Sequence, residues 1–309
     1  MAGSSKKAIY AALAGNSLIA VTKFGAAAYT GSAAMLSEGI HSLVDTGNQI
    51  LLLFGISQSS KPASDDFPFG HGKEIYFWCF IVAMLIFALG GTASIYQGVQ
   101  HLSHTEPLTN PFINYIVLGF AIVFEFGALF VAFKEFNKSR GEQSVIDAVK
   151  HGKDPTLFVV VFEDSAAMLG LLIALVGVAA YQLTGNALFD AMASIAIGIV
   201  LILTACWLAF ESKGLLIGES ASPGVRRTIR DPLDEDGRVA AVNEVATLHM
   251  GPDFIVVTIS ADFISDLSAD GVESAVSELN RKIKATDSRI KRVFIEAERS
   301  DMHGRDRTP

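Results

Sequence analysis

The chain has 309 residues, of which 50% are hydrophobic and 18% charged, with a formal net charge of −8 and a mean hydropathy of +0.41. A chain of this length that is so apolar is not an ordinary soluble domain, and its acidic balance gives no electrostatic footprint for nucleic acid. The two cysteines, Cys79 and Cys206, both lie in apolar stretches, so neither a disulfide framework nor a thiolate zinc site follows from them.

Six stretches are apolar and long enough to cross a bilayer: Ala8–Tyr29, Ala33–Ile56, Ile75–Val99, Phe112–Phe133, Thr156–Leu183 and Ala187–Phe210. The first is the least apolar, broken by Asn16, Ser17 and Lys23. Lys6 and Lys7 lead straight into it with no cleavage pattern behind them, so no removable signal is expected. The basic residues alternate between loops. Lys61 and Lys73 follow the second span, and Lys134, Lys138, Arg140, Lys150 and Lys153 follow the fourth. The connections Thr30–Ser32, Gln100–Pro111 and Thr184–Asn186 hold no Lys or Arg. The positive-inside rule then predicts that both termini are cytoplasmic. The membrane is expected to be the cell's inner membrane.

The second span carries Glu38, His41, Asp45 and Asn48 among Leu, Ile, Val, Gly and Ala. These spacings put all four side chains on one face of a helix. An ionisable group inside a bilayer is costly unless it is partnered or functional, so the stripe is a candidate site. His41 and Asp45, one turn apart, suit half of a divalent-metal shell. The alternative is a hydrogen-bond network that packs helices. Glu125, alone in the fourth span, is a candidate proton relay or a packing group.

After Phe210 the composition becomes mixed. Helices are predicted at Ser222–Glu235, with Pro232 interrupting the end, and at Ala269–Ala285, where Val272, Val276, Leu279 and Ile283 recur at helical spacing. Strands are predicted at Val239–Leu248, Phe254–Phe263 and Ile290–Ala297, with Gly251, Pro252 and Asp253 turning between the first two. The expected fold is an α-helical membrane protein of six transmembrane helices over residues 1–210, with a small cytosolic α+β (αββαβ) domain over 211–300. A frayed tail is expected at 301–309.

The strings from Tyr29 through His41 to Asp45, then Phe69-Gly-His71-Gly-Lys73, then Asp190 to Gly198, occur in this order together with an Asp in the fifth span. In these features nearly the whole chain resembles the cation diffusion facilitators. The resemblance implies a homodimeric exporter that exchanges a cytosolic divalent metal, most often zinc, for protons across the lipid bilayer. It implies no cofactor beyond the metal carried. It also implies a four-ligand site of His41, Asp45, Asp164 and a residue four positions before Asp164. That position is Val160, which cannot bind metal. Glu163, Glu38 or a water remain to complete the shell, with Asn48 as a further neutral oxygen. Glu163 points about 100° away from Asp164 on a helix, so a local distortion is expected if it is to help. The other reading of Glu163 is an ion pair, for instance with Lys23.

One imidazole with carboxylates suits zinc, iron(II), cobalt or manganese, and cadmium also stays open. Such ligands must be deprotonated to bind, which links metal to protons, with His41 the group titrating nearest neutrality. The resemblance also implies a second metal near the Phe-Gly-His-Gly-Lys string, where His71 matches and Asp65 and Asp66 match only broadly. The tail has only His249 and His303 as imidazoles, with Asn243, Thr258, Glu296 and Glu298 about where relatives place ligands, so dimerisation is its expected role. His249 is read as a structural turn residue. His101 and His104 share a helix face without a third ligand. A membrane metalloenzyme is disfavoured because neither H-E-x-x-H nor G-x-S-x-G occurs, and a metal sensor is the remaining alternative.

Overall fold

The computed structural model describes residues 2–103, 110, 112–140 and 152–303. His104 and Lys150 therefore lie outside the described residues. The long helices are α1 (Ala2–Thr30), α2 (Ala33–Ser59), α3 (Glu74–Ser103), α4 (Phe112–Arg140), α5 (Pro155–Thr184) and α6 (Leu188–Ile217). They are followed by α7 (Pro223–Asp234), β1 (Val239–Gly251), β2 (Phe254–Phe263), α8 (Ala269–Thr286), β3 (Ile290–Ala297) and α9 (Ser300–His303). Helices α3 to α6 are long and apolar enough to cross a membrane. Helix α2 has the length, but Glu38, His41, Asp45, Asn48 and Gln49 lower its hydropathy.

The chain divides into two compact units, one of Met1–Ser57 with Phe77–Lys213 and one of Gln58–Tyr76 with Gly214–Pro309. In the first, helix ends are stopped by identifiable chemistry. Asp154 caps α5 by accepting from Thr156 N–H at 3.1 Å, Pro155 sits where its missing N–H costs nothing, and Gly185 closes the helix at φ 70°. The start of α2 is capped from another helix. Asp190 of α6 accepts from Ser32 Oγ at 2.5 Å and from Ala33 N–H at 2.6 Å, which places a carboxylate at the positive end of α2. Thr30 Oγ1 donates to Asn114 Oδ1 at 2.9 Å and ties α1 to α4.

Helices α3 and α6 meet backbone to backbone. A Cβ on Gly198 would stand 2.7 Å from Gly91 O and 2.9 Å from Ile95 N, and one on Gly98 2.8 Å from Ala191 O. Small residues permit such approach where apolar lipid supplies no hydrophobic drive between helices. Opposite this contact α3 loosens into a π turn over Ile86–Gly91, with Thr92 Oγ1 donating to Phe87 O at 3.0 Å. Beside it a buried serine chain runs across three helices: Ser37 and Ser194 hydroxyls lie 2.6 Å apart, and Ser194 Oγ donates to Ser94 O at 2.7 Å.

In the second unit β1 and β2 are antiparallel, with Val245 opposite Ile259, while β2 and β3 are parallel and joined through α8. Ala275, Leu279 and Ile283 recur every four residues on α8 and are buried with Ile229 and Leu233 of α7 against Ile255, Val257, Ile259 and Val293 of the sheet. α7 runs to Asp234 with Pro232 inside its last turn, which Glu235 N–H closes by donating to Asp231 O. Residues 300–303 form α9, and His303 Nδ1 lies 2.6 Å from Glu298 Oε2, so the beginning of the expected frayed tail is ordered; residues 304–309 lie outside the described residues. His249 is buried inside β1, its Nδ1 3.2 Å from Gly251 O.

Two predictions follow from these contacts. Gly198→Leu should drive a side chain into the α3 backbone and lower the thermal stability of the detergent-solubilised protein by about 1–3 kcal/mol, the usual cost of overpacking. An unchanged unfolding temperature would contradict the close approach. In the second unit, hydrogen bonds from Arg238 hold the Asp236 carboxyl down to about 2, and the same guanidinium reaches Glu278 of α8 at 2.8 Å. A carboxyl lowered on folding adds stability that is fully present above its unfolded value of about 4 and is lost as pH falls toward 2. Asp236→Asn should therefore flatten the acid loss of amide-exchange protection in β1 between those pH values. At pH 7 it should cost about 1 kcal/mol or less, as partly exposed pairs do.

Candidate metal centre

A cavity of about 720 Å³ opens among α1, α2, α4 and α5 of the first unit. Its polar lining is Asn16, Ser42, Asp45, Gln49, Glu125, Glu163 and Asp164, and Val160 is also in the wall. Of the stripe on α2, Asp45 shares this space with Glu163 and Asp164 of α5, whereas Glu38, His41 and Asn48 are not in its lining.

The Asp45 and Glu163 carboxyl groups line the same cavity. Asn48 Nδ2 donates to Glu163 Oε1 at 2.6 Å, which aims the glutamate toward α2. His41 Nδ1 stands 3.3 Å from Asp45 Oδ1 without making a hydrogen bond, and its ring is 1% exposed. Both His41 ring nitrogens, Asp45 Oδ1 and Asn48 Oδ1 are buried with no hydrogen-bond partner. A buried polar atom left unpaired costs about 1–3 kcal/mol, so four of them on one stripe mark a place where function outweighs stability.

Glu163 and Asp164 both line the cavity although α5 is continuous through them. The cavity lies between helices, so Glu163 accepts from Asn48 of α2 while Asp164 lines the same space as Glu125 of α4.

Glu38 is placed differently. Its Oε2 accepts from Lys23 Nζ at 2.9 Å, and Lys23 also donates to Ser42 Oγ at 2.8 Å. The ion pair with Lys23 given above as the other reading of Glu163 is made by Glu38 instead, because one turn of α2 brings Glu38 and Ser42 to the same point on α1. Lys23 inside an apolar stretch was a signal that some carboxylate must face it. The contribution of Asn48 as the residue orienting Glu163 was not legible in the same way, since spacing gives its face but not its neighbour.

His71 and Asp65 lie in the other unit. Asp65 and Asp66 are exposed, and the His71 ring stacks on Phe67 with centroids 4.4 Å apart. Among the described residues no three His, Cys, Asp or Glu side chains are already gathered around a single metal position, here or in the cavity. In the cavity, small rotations of Asp45, Glu163 and Asp164 would have to complete the shell.

The profile described as the cation efflux transmembrane domain matches residues 9–217, about two thirds of the chain. The chain belongs to the cation efflux family. Members of this family are multi-pass membrane transporters of cations and not enzymes, and the cation is the substrate carried. Among relatives, the proton-coupled zinc antiporter SLC30A9, mitochondrial, of Homo sapiens is 34% identical over 79% of this chain and 44% of its own length. Metal tolerance protein C4 of Arabidopsis thaliana is 32% identical over 80% of this chain and 55% of its own. The cation-efflux pump FieF of Escherichia coli is 26% identical over 87% of both chains. The chain thus spans about half the length of the first two relatives.

Proposed function

We propose that this protein exports a divalent metal cation from the cytoplasm in exchange for protons, with zinc as the first choice of metal. The single observation that carries the reading is that Asp45, Glu163 and Asp164 line one cavity, with the unpaired His41 imidazole 3.3 Å from Asp45 Oδ1. A mixed imidazole and carboxylate shell suits zinc, with iron(II), manganese, cobalt and cadmium as competitors. Zinc antiport in the printed name of the human relative supports the same choice.

The ligand set is His41, Asp45, Asp164 and Glu163. Glu163 takes the fourth place because it faces the cavity beside Asp45, whereas Glu38 is held by Lys23. Asn48 orients Glu163. Coupling follows from the chemistry of these groups. An imidazole and carboxylates must be deprotonated to bind a cation, so metal entry releases protons and proton return expels metal. In the cell, six helices cross the membrane, α1 and α2 joining the four most apolar ones. Both termini are cytoplasmic in a cell inner membrane, residues 1–210 form the transport domain, and the C-terminal residues 211–300 form a cytosolic domain through which two copies pair.

Sealed vesicles containing the full chain test this. A zinc gradient should drive proton movement in the opposite direction, and a panel of divalent metals should rank zinc first. Asp45→Ala should abolish both fluxes while leaving a folded protein, and normal transport by that variant would sink the site. Glu163→Gln should lower zinc affinity by about tenfold or more, as a charged oxygen ligand becomes neutral. Adding Val160→His should restore it, because positions 160 and 164 share one face of α5. Unaltered affinity in Glu163→Gln would remove Glu163 from the shell.

A further inference from the structure

We propose that Lys23 and Glu38 form the gate that closes the non-cytoplasmic end of the cation path. This rests on the transport reading above and extends it to residues that do not bind the metal.

The Asp45 side chain is 16% exposed and lines the cavity, Ser42 is the last residue of α2 toward its N-terminus that does so, and Glu38 is 0% exposed. Glu38 lies about 10 Å closer to that N-terminus than Asp45, at the helical rise of about 1.5 Å per residue. In the proposed orientation this direction leads out of the cell. The cavity therefore ends where Lys23 of α1 crosses to Glu38 and Ser42.

The contact is built tightly on its remaining sides. A Cβ on Gly170 of α5 would stand 2.5 Å from Glu38 Oε1 and 3.8 Å from Ile197 Cγ2 of α6, so the carboxylate is enclosed by α1, α5 and α6. A Cβ on Gly39 would press on the Phe24 ring at 3.1 Å, which locks α1 against α2 one residue further along. Yet Glu38 Oε1 has no hydrogen-bond partner. A purely structural ion pair buried this deeply needs its remaining lone pairs satisfied to be worth its desolvation. An incompletely satisfied pair, reinforced only by Lys23, is one that can open. Lys23 is the tethered cation that occupies the path while the cytoplasmic side is open. Its separation from Glu38 accompanies the turn to the outward-open arrangement, and Ser42, shared between Lys23 and the cavity wall, joins gate to site.

The test uses the full chain in proteoliposomes, with zinc and proton fluxes recorded together. The wild type should move both with fixed coupling. Lys23→Met and Glu38→Gln should each keep zinc affinity but let zinc pass without its proton counterflow, raising uncoupled flux by about tenfold, within the usual range for a coupling between sites. Lys23→Arg should stay coupled, and the exchange Lys23→Glu with Glu38→Lys should restore coupling lost in the single variants. Coupling in Lys23→Met equal to wild type overturns the gate, and so does loss of zinc affinity in proportion to loss of flux, which marks a merely structural pair. If Lys23→Met does not assemble, the exchange variant decides: coupled transport supports the gate and uncoupled transport overturns it. Wild-type vesicles that move no metal overturn the transport reading itself, and the gate falls with it, a result distinct from coupled wild type with coupled variants.

Discussion

Charge on α2 is the constraint around which the first unit is arranged. Glu38, His41 and Asn48 are buried and Asp45 nearly so, in a helix otherwise made of apolar and small residues. Each group must find a partner in a medium that offers no water, and the neighbouring helices supply them in different measure. Lys23 of α1 meets one oxygen of Glu38, Glu163 of α5 accepts from Asn48, and Asp190 of α6 caps the helix start. Both ring nitrogens of His41 and one oxygen each of Glu38, Asp45 and Asn48 receive nothing. The helices surround α2 because it cannot stand in lipid alone, and the places where their help stops define the site.

The rest of the unit divides the work unequally. The pairing of α3 and α6 is rigid by construction, since Gly91, Gly98 and Gly198 bring main chains into contact and leave little room to slide. The cavity is lined instead by α1, α2, α4 and α5. On α4 only a small share of residues is buried, and Phe120, Phe124, Phe126 and Phe130 are exposed, as suits a face toward lipid. The Ser37, Ser194 and Ser94 chain marks where the outer part of α2 is anchored to the fixed pair.

Much of this was legible in the sequence because it depends on periodicity. The stripe on α2, the amphipathic α8 and the strand limits of β2 and β3 all follow from which positions recur at 3.6 or 2 residues. What spacing cannot give is the partner across the gap. Lys23 was visibly a charge in search of a carboxylate, but Glu38 and Glu163 were both within reach of a sequence argument, and only packing of α1 on α2 decides between them. The cross-helix cap by Asp190 was hidden for the same reason: its string was recognised by type, while its hydrogen bonds end 157 residues away at Ala33. The order of α9 was missed because its anchor, Glu298 to His303, is a side-chain contact without periodicity.

The adjacency of Glu163 and Asp164 shows how a one-dimensional rule misleads at a site. Two neighbours on a helix diverge by about 100°, which reads as a conflict if both must face one neighbour. A cavity lying between helices has more than one wall, so both side chains can line it. Glu163 accepts from Asn48 of α2, and Asp164 shares the lining with Glu125 of α4 and with Val160, one turn back on its own face. The Asn48 bond ties α5 to α2 and the Lys23 to Glu38 contact ties α1 to α2, so the mutual rotation of three helices decides which side chains reach the cavity.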